Sequence, residues 1–227
     1  MNDPSNPFST AEAVARYAEN PPRVVPGFAD LQRMATLLLE EHAPEDANIL
    51  VLGAGGGLEL KVFAQAHPKW HLEGIDPASE MLTLAEQTLG PLRERVELRQ
   101  GYIDAASEGP FDGAACLLTL HFIGAEERRR TITEVHRRLK PGAPFVVAHL
   151  SFPQAGNERT LWLSRYAAFA ASSGIAPEKA KSASAAIDKH LNILTPDQDE
   201  SILRGAGFTT ITQFYAGLAF RGWVAYA

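Results

Sequence analysis

Four glycines in five positions follow an apolar run in the segment VLGAGGGLEL, residues 51–60. Glycine has no Cβ, so a glycine-rich backbone can turn sharply and approach a ligand closely. Such a turn between a buried strand and a helix commonly bends around a nucleotide. A flexible strand-to-helix turn without a ligand remains the alternative for this segment taken alone.

The spacing of these glycines narrows the choice of nucleotide. Dinucleotide-binding loops follow Gly-x-Gly-x-x-Gly/Ala, and the third position of that pattern is Leu58, whose side chain would obstruct close packing of helix on strand. A phosphate-binding P-loop ends in Gly-Lys-Ser/Thr, whereas this loop continues with Leu-Glu-Leu. The pattern that fits is Gly-x-Gly-x-Gly at Gly53, Gly55 and Gly57.

An acidic residue follows the loop at an informative interval. Asp76 ends the predicted strand 70–76, about twenty residues after the glycines, and a carboxylate there can accept hydrogen bonds from both hydroxyls of a ribose. The alternative role is to cap the helix predicted to begin near Ser79. We favour ribose binding, because the loop and the acid occur together at the expected interval.

Alternating strands and helices must position these residues. Five strands are predicted at 48–53, 70–76, 95–101, 111–120 and 143–151. Their apolar runs are continuous, as in ILVL and FVVA, which indicates a parallel sheet covered by helices on both faces. The β-rich segments 208–216 and 218–227 are joined by too few residues for a parallel crossover and must form an antiparallel hairpin.

Helical segments are predicted on either side of this core. Residues 1–47 are expected to form a helical N-terminal lid, with a capped helix at 9–20 and a second helix ending near His42. Residues 152–195 are expected to form a helical insertion, so that a single domain spans residues 1–227.

Composition excludes several classes of protein. The net charge of −6 provides no positive field to recruit nucleic acid, and the arginines of segment 126–139 alternate with glutamates, as is typical of a solvated helix face. The single cysteine, Cys116, lies in an apolar run and excludes an internal disulfide framework. The first ten residues are not typical of a signal peptide, and no stretch has the length of a membrane span, so a cytoplasmic location is expected.

Several motifs resemble those of the class I S-adenosylmethionine-dependent methyltransferases. NILVLGAGGG is similar to the first motif of that family, GIDPASEML to the second and RVELRQGYID to the third, while FDGAACLLTLHFI and LKPGAPFVVAHLS resemble its fourth- and fifth-strand motifs. The resemblance implies an α/β fold with a seven-stranded, Rossmann-like, mostly parallel sheet, helices on both faces, and an antiparallel last strand beside strand five. It also implies S-adenosyl-L-methionine as the cofactor.

The resemblance further implies which residues hold this cofactor. Asp76 takes the ribose position, Met81 takes the position of an apolar residue that packs on adenine, and His121 is expected to wall the pocket without transferring protons. No metal is expected. The implied cofactor-binding residues are Gly53, Ala54, Gly55, Gly57, Asp76, Pro77, Met81, Tyr102, Ile103, Asp104, Leu118 and His121.

Two positions depart from the pattern of that family. Val51 lies where the family often has an acid, so one anchor for the amino acid end of the ligand is missing or replaced. Tyr102 lies where the family often has an aspartate that bonds the adenine amino group, and Asp104 is the nearby candidate substitute.

Other segments resemble a narrower group, the carboxy-S-adenosylmethionine synthases of tRNA wobble-uridine modification. The similar segments are RVVPGFADL (23–31) and, near the end of the sequence, LTPDQDESILRGAGF and QFYAGLAFRGWVA. The modified donor of those proteins carries an extra carboxylate that needs an arginine. Segment 176–195 contains no arginine but three lysines, which cannot reproduce a bidentate contact, so an unmodified donor is expected.

Methyl transfer needs a general base only where the acceptor must lose a proton. His149 is the leading candidate, because it ends strand five at the edge of the sheet where ligands bind; a histidine that satisfies a loop carbonyl is the alternative. Aromatic candidates for the acceptor pocket are Tyr17, Phe28, Trp162, Tyr166 and Tyr215.

The sequence therefore predicts an enzyme that methylates a small-molecule acceptor, with a possible homodimer contact through 152–195 and no membrane or nucleic acid partner. Three alternatives stay open. They are a nicotinamide-dependent oxidoreductase, against which Leu58 argues; a carboxy-donor synthase; and a non-catalytic partner protein that kept the fold.

Overall fold

A seven-stranded sheet in the order β3-β2-β1-β4-β5-β7-β6 forms the centre of the computed structural model, which describes residues 19–227. Neighbouring strands from β3 to β5 pair in parallel, whereas β7 is antiparallel to both β5 and β6. The strands are β1 (Asn48–Leu52), β2 (His71–Asp76), β3 (Val96–Gln100), β4 (Gly113–Leu117), β5 (Pro144–Leu150), β6 (Thr209–Gly217) and β7 (Phe220–Tyr226).

The pairing of β5 with β7 confirms the predicted position of the last strand. Their register runs from Pro144 opposite Tyr226 to Leu150 opposite Phe220. The hairpin partner β6 lies outside β7, at the edge of the sheet. The predicted fold class, a mostly parallel Rossmann-like sheet with an antiparallel last strand, is therefore confirmed.

Helices cover the sheet and its carboxyl edge. Those of the described residues are α1 (Pro21–Val24), α2 (Phe28–Glu40), α3 (Leu58–Ala66), α4 (Ser79–Leu89), α5 (Ala125–Arg138), α6 (Glu158–Ser172), α7 (Pro177–His190) and α8 (Pro196–Gly205). The helix expected at 9–20 falls almost wholly outside the described residues, as does Tyr17. No helix between residues 19 and 227 is long and apolar enough to cross a membrane.

Two apolar layers fix these helices on opposite faces of the sheet. On one face, Leu31 of α2 and Phe63 of α3 are fully buried against the sheet. On the other, Val135 of α5 and Leu203 of α8 pack in a second buried cluster. Successive residues of a strand point to opposite faces, so the continuous apolar runs supply both layers at once.

Strand four is shorter than the sequence predicts. It was expected to span 111–120, but β4 ends at Leu117. Leu118 has a φ of +60°, in the left-handed region, and a short 3₁₀ helix follows at Leu120–Phe122. The chain therefore leaves the sheet one residue after β4, and this turn brings residues 118–121 to the carboxyl edge.

The segment after β5 forms a helical hairpin of α6 and α7, which is interrupted near Gly174 and Pro177 as predicted. Gly174 has a φ of +86°, which favours glycine. The Arg23 guanidinium donates hydrogen bonds to the carbonyls of Ser173 (3.2 Å) and Gly174 (2.6 Å). These bonds join α1 to the end of α6 and give the hairpin a fixed position.

Candidate cofactor and acceptor site

The glycine loop turns directly over the end of β2. The backbone N–H groups of Gly53 and Ala54 both donate to the carbonyl of Ile75, at 2.8 and 3.0 Å. Gly53 and Gly57 each have a φ of +70°, so both positions favour glycine. A Cβ on Gly57 would lie 2.9 Å from Cα of Ala85, so this glycine also permits α3 and α4 to pack closely.

Asp76 is bound to the loop by both carboxylate oxygens. Gly55 N–H donates to Oδ2 at 3.0 Å, and Ala78 N–H donates to Oδ1 at 2.9 Å. The capping role that the sequence left as an alternative is thus present. Each oxygen can still accept a further hydrogen bond, so the contact with the loop does not remove the capacity to bind a ribose.

Position 55 has no room for a side chain, because Asp76 and Met81 lie against its backbone. A Cβ at Gly55 would lie 2.6 Å from Oδ2 of Asp76 and 2.9 Å from Cβ of Met81. Met81 is 3% exposed, and its backbone carbonyl accepts a hydrogen bond from Gly56. The glycine loop, the carboxylate of Asp76 and the side chain of Met81 therefore lie in contact with one another.

Glu59 is a buried acid that the sequence analysis missed. It is 6% exposed in the first turn of α3, and none of the ion pairs found among residues 19–227 includes it. Burial raises the pKa of its carboxyl to about 8, its own backbone N–H lowers it, and the charge of Asp76 raises it further. A buried carboxyl group without a cation stays protonated near neutral pH, and a positively charged ligand beside it would favour its ionised form.

Replacement of Glu59 by glutamine is expected to stabilise the protein at high pH. The unfolded chain loses this proton near pH 4.5 and the folded protein only near pH 8, so stability falls as pH rises through that window. The slope is about 1.4 kcal/mol per pH unit, or roughly 5 kcal/mol in total. Glutamine does not titrate, so urea unfolding at about pH 5, 7 and 9 should show a growing advantage of the variant. A difference that stays constant with pH would contradict the raised pKa.

Of the third predicted motif, residues 95–104, only part is buried next to the site. Ile103 is buried, whereas Tyr102 is 61% exposed. Asp104, the suggested substitute for the adenine contact, instead forms an exposed ion pair with Arg130 at 2.8 Å. The hydrogen bond from Arg130 lowers the pKa of the Asp104 carboxyl. Pro77 is also exposed, and its carbonyl accepts a hydrogen bond from Gln100.

The turn after β4 touches the glycine loop. A Cβ at Gly53 would lie only 1.9 Å from Oγ1 of Thr119, a residue that the sequence analysis did not select. Leu118 donates its backbone N–H to the carbonyl of Ala148 at 2.6 Å while holding a left-handed φ. A non-glycine residue in this region stores backbone strain, which concentrates at functional sites.

A cavity of about 810 Å³ lies on the other side of this turn. Leu118 and His121 form part of its wall, so it adjoins the loop through residues 118–121. Its remaining wall comes from α1, α6, α7 and the ends of β5 and β7, and is mainly apolar. Representative apolar wall residues are Val24, Leu150, Tyr166, Ile187, Leu191 and Phe220.

His149 points away from this cavity. It shares a strand face with Val147, packs on Trp223, and is 2% exposed. Its Nε2 lies 3.2 Å from Oδ2 of Asp199. The base role proposed for His149 from the sequence stays a prediction, and this geometry does not support it.

Arg128 completes this buried group and corrects the solvated-face interpretation of α5. It is fully buried, pairs with Asp199 at 2.5 Å, and donates to the carbonyls of Leu120 and Asn192. Burial acts to raise the pKa of Asp199, but His149 and Arg128 together hold it below its ordinary value. Through Arg128, the turn that contains His121 is thus joined to α8.

The remaining candidates divide between the cavity and the surface. Of the aromatic residues, Tyr166 lines the cavity, Tyr215 donates its hydroxyl to the carbonyl of Pro26, and Trp162 lies under Arg165 at 4.4 Å. Phe28 packs against the buried cluster under α2. The Cys116 thiol is buried, and burial raises its pKa to about 12, consistent with an inert side chain.

The sequence is similar to those of known methyltransferases and related synthases. Residues 49–142 match the family model described as a methyltransferase domain. The chain is 26% identical over 219 residues to carboxy-S-adenosyl-L-methionine synthase of Chromohalobacter salexigens, covering 95% of this chain and 81% of that protein. It is 30% identical over 127 residues to demethylmenaquinone methyltransferase of Lactiplantibacillus plantarum, covering 53% and 52% of the two chains.

A solved structure extends the likeness of fold. The O-methyltransferase family protein of Burkholderia thailandensis superposes with a TM-score of 0.68 at 16% identity, over 96% of this chain and 61% of that one. The chain thus spans about three fifths of that larger protein. None of these similarities supports the oxidoreductase alternative.

The strand order and the helices on both faces of the sheet define an α/β protein of the Rossmann-like class. Through the matched domain and these relatives, the chain is similar to the class I S-adenosylmethionine-dependent methyltransferases, whose cofactor is S-adenosylmethionine.

Proposed function

We propose that this protein transfers a methyl group from S-adenosylmethionine to a small, mainly apolar acceptor held in the cavity. One observation carries the proposal: residues 118–121 separate the glycine loop from the cavity, with Thr119 against Gly53 and both Leu118 and His121 in the cavity wall. A donor on one side and an acceptor on the other would meet at this turn.

The residues present fit the donor. Gly55 leaves backbone surface free of a side chain, and Asp76 offers carboxylate oxygens for ribose hydroxyls. Glu59 offers a buried carboxyl group that would lose its proton beside the ammonium group, because a neighbouring positive charge favours the ionised form. The donor carries no phosphate, so the loop needs no lysine. Glu59 would then supply the anchor that Val51 cannot.

Methyl transfer requires mainly that the protein position the donor and the acceptor relative to each other. When bound, S-adenosylmethionine supplies a methyl carbon on a sulfonium, and the electron pair of the broken carbon–sulfur bond remains on sulfur. The protein holds the two reactants in line and excludes water, which can supply much of the rate. The apolar walls formed by α1, α6 and α7 suit that role.

The cavity also supports an apolar acceptor. A volume of about 810 Å³ is within the range of small-molecule sites, which are mostly apolar with a few placed polar groups. The name of the L. plantarum relative, demethylmenaquinone methyltransferase, agrees with an apolar acceptor. In this proposal, 1–47 and 152–195 serve as lid and insertion of a single domain, and a homodimer contact through 152–195 remains a prediction.

A second candidate is synthesis of a carboxylated donor, favoured by the likeness to the C. salexigens synthase over nearly the whole chain. Its extra carboxylate would need a cation. Lys179 is the lysine of segment 176–195 that lines the cavity, whereas Lys181 pairs with Glu178 at 3.8 Å. Lys179 offers no bidentate contact, and the guanidinium of Arg23, which also lines the cavity, already donates to the carbonyls of Ser173 and Gly174. This candidate therefore ranks second.

A competition titration distinguishes the two candidates. We expect plain S-adenosylmethionine to bind at least as tightly as its carboxylated form, and prephenate, the carboxyl source of those synthases, to undergo no turnover. A clear preference for the carboxylated donor that disappears in Lys179→Ala but persists in the matched control Lys181→Ala would establish the second candidate instead. Failure of both donors to bind would reject both.

A further inference from the structure

We infer that His121 donates a hydrogen bond from its Nε2–H to an oxygen atom of the acceptor other than the atom that is methylated, and that the acceptor therefore carries a carbonyl-type or anionic oxygen. The inference rests on the proposed function, because it assigns a residue to the acceptor cavity.

The backbone determines the tautomer of His121. The N–H of Leu150 donates to Nδ1 of His121 at 3.3 Å, and a backbone N–H can only be a donor. Nδ1 must therefore be unprotonated, and in a neutral imidazole the proton then lies on Nε2. The ring is held by a main-chain contact of β5, which does not titrate.

The other ring nitrogen is the one available to a ligand. His121 is 5% exposed and lines the cavity, and Nε2 has no hydrogen-bond partner among residues 19–227. The surrounding wall is mainly apolar. An N–H donor left unpaired at an apolar wall gains a favourable partner when a bound molecule brings an oxygen acceptor.

The surroundings keep this ring neutral. Burial lowers the pKa of His121 well below its ordinary value, and the neighbouring His149 and Arg128 act in the same direction, while Asp199 opposes them. Those three groups lie in the buried network behind the turn, and their mutual contacts are described above. At neutral pH the histidine thus offers a donor and no basic nitrogen.

This arrangement excludes one role and favours another. With its proton already on Nε2, His121 cannot act as a general base toward the cavity. A hydrogen bond to the attacking atom would draw electron density from it and lower its nucleophilicity. The donor therefore suits a different oxygen of the acceptor, where it would orient the molecule and stabilise negative charge.

Nuclear magnetic resonance of the ligand-free protein with ¹⁵N-labelled histidine tests the tautomer directly. The expected result is a neutral His121 with its proton on Nε2, unchanged between about pH 6 and pH 8. A proton on Nδ1, or a titration within that range, would overturn the inference without bearing on donor binding.

A matched pair of probes tests the hydrogen bond. 2-Acetylnaphthalene has a carbonyl oxygen, and 2-isopropenylnaphthalene has a CH₂ group in its place. The wild-type protein should bind the ketone about fivefold more tightly, the ratio expected for one net hydrogen bond. His121→Phe should lose this ratio, and the control His190→Phe, on the exposed end of α7, should keep it.

The outcomes separate the inference from the proposed function. An unchanged ratio in His121→Phe, an equal affinity of both probes for the wild-type protein, or no binding of either probe would each overturn the role of His121. The proposed function fails in a different measurement, if S-adenosylhomocysteine does not bind.

Discussion

Replacement of Gly55 by valine is expected to abolish binding of S-adenosylmethionine. The new Cβ would lie 2.6 Å from Oδ2 of Asp76 and 2.9 Å from Cβ of Met81, distances at which one of the groups must move. The carboxylate is held by two backbone N–H groups, so its displacement would also disturb the loop. Titration calorimetry with S-adenosylhomocysteine, the demethylated product, measures the loss.

A control with the same change elsewhere separates this effect from a general cost of valine. A Cβ at Gly205, in the last turn of α8, meets nothing within 4 Å, so Gly205→Val should bind with wild-type affinity. Circular dichroism should show that both variants are folded. If Gly55→Val folds and binds normally, the glycines serve only the turn and the proposed donor site is wrong.

Replacement of Asp76 by alanine should weaken binding of S-adenosylhomocysteine by roughly 1.5–3 kcal/mol, or about 10- to 150-fold, the scale for a lost charged hydrogen-bond partner. Removal of this carboxylate, at the end of β2, also leaves the backbone N–H groups of Gly55 and Ala78 without their acceptor. Thermal unfolding should therefore also show a loss of stability, and affinity is to be compared where both proteins are folded.

Asp104→Ala is the matched control for this loss of a carboxylate. Asp104 belongs to the expected cofactor set, but it is exposed and paired with Arg130, so its removal should leave donor affinity unchanged. Unchanged affinity in Asp76→Ala would remove the ribose assignment. A loss in Asp104→Ala equal to that in Asp76→Ala would show that the third motif reaches the ligand after all.

The parts of the fold that depend on local pattern could be predicted from the sequence. Continuous apolar runs identify strands buried on both faces, and the short connection of the last two strands requires an antiparallel pair. The interval between Gly53 and Asp76 likewise follows from one strand–helix–strand unit. The structure places the loop and the acid in contact, through the hydrogen bond from Gly55 to Asp76.

The positions that could not be predicted depend on contacts between distant segments. Glu59 lies in LEL, which indicates only the start of a helix, and its burial becomes visible when β1 and β2 pair beside it. The ion pair of Arg128 with Asp199 joins residues 71 positions apart, so the charge pattern of α5 alone suggested a solvated face. A left-handed φ at Leu118 has no signal in the residue type.

The same reasoning explains the placement of the two histidines. His149 lies near the carboxyl end of β5 and His121 follows the carboxyl end of β4, and no pattern in the sequence indicates which of the two faces the cavity. Alternation along β5 turns His149 toward α8, while the early end of β4 carries His121 into the cavity wall. The difference arises because β4 ends three residues earlier than predicted and because successive side chains of β5 point to opposite faces of the sheet.

The central claim is that the glycine loop and Asp76 bind S-adenosylmethionine. Titration of the wild-type protein with S-adenosylhomocysteine tests it most directly, since the affinities of Gly55→Val and Asp76→Ala are both compared with this value. The site described by Gly55, Asp76 and Glu59 predicts saturable one-to-one binding, with no comparable binding of a nicotinamide dinucleotide. A folded wild-type protein that gives no binding signal with S-adenosylhomocysteine, or that binds the dinucleotide instead, would contradict the account.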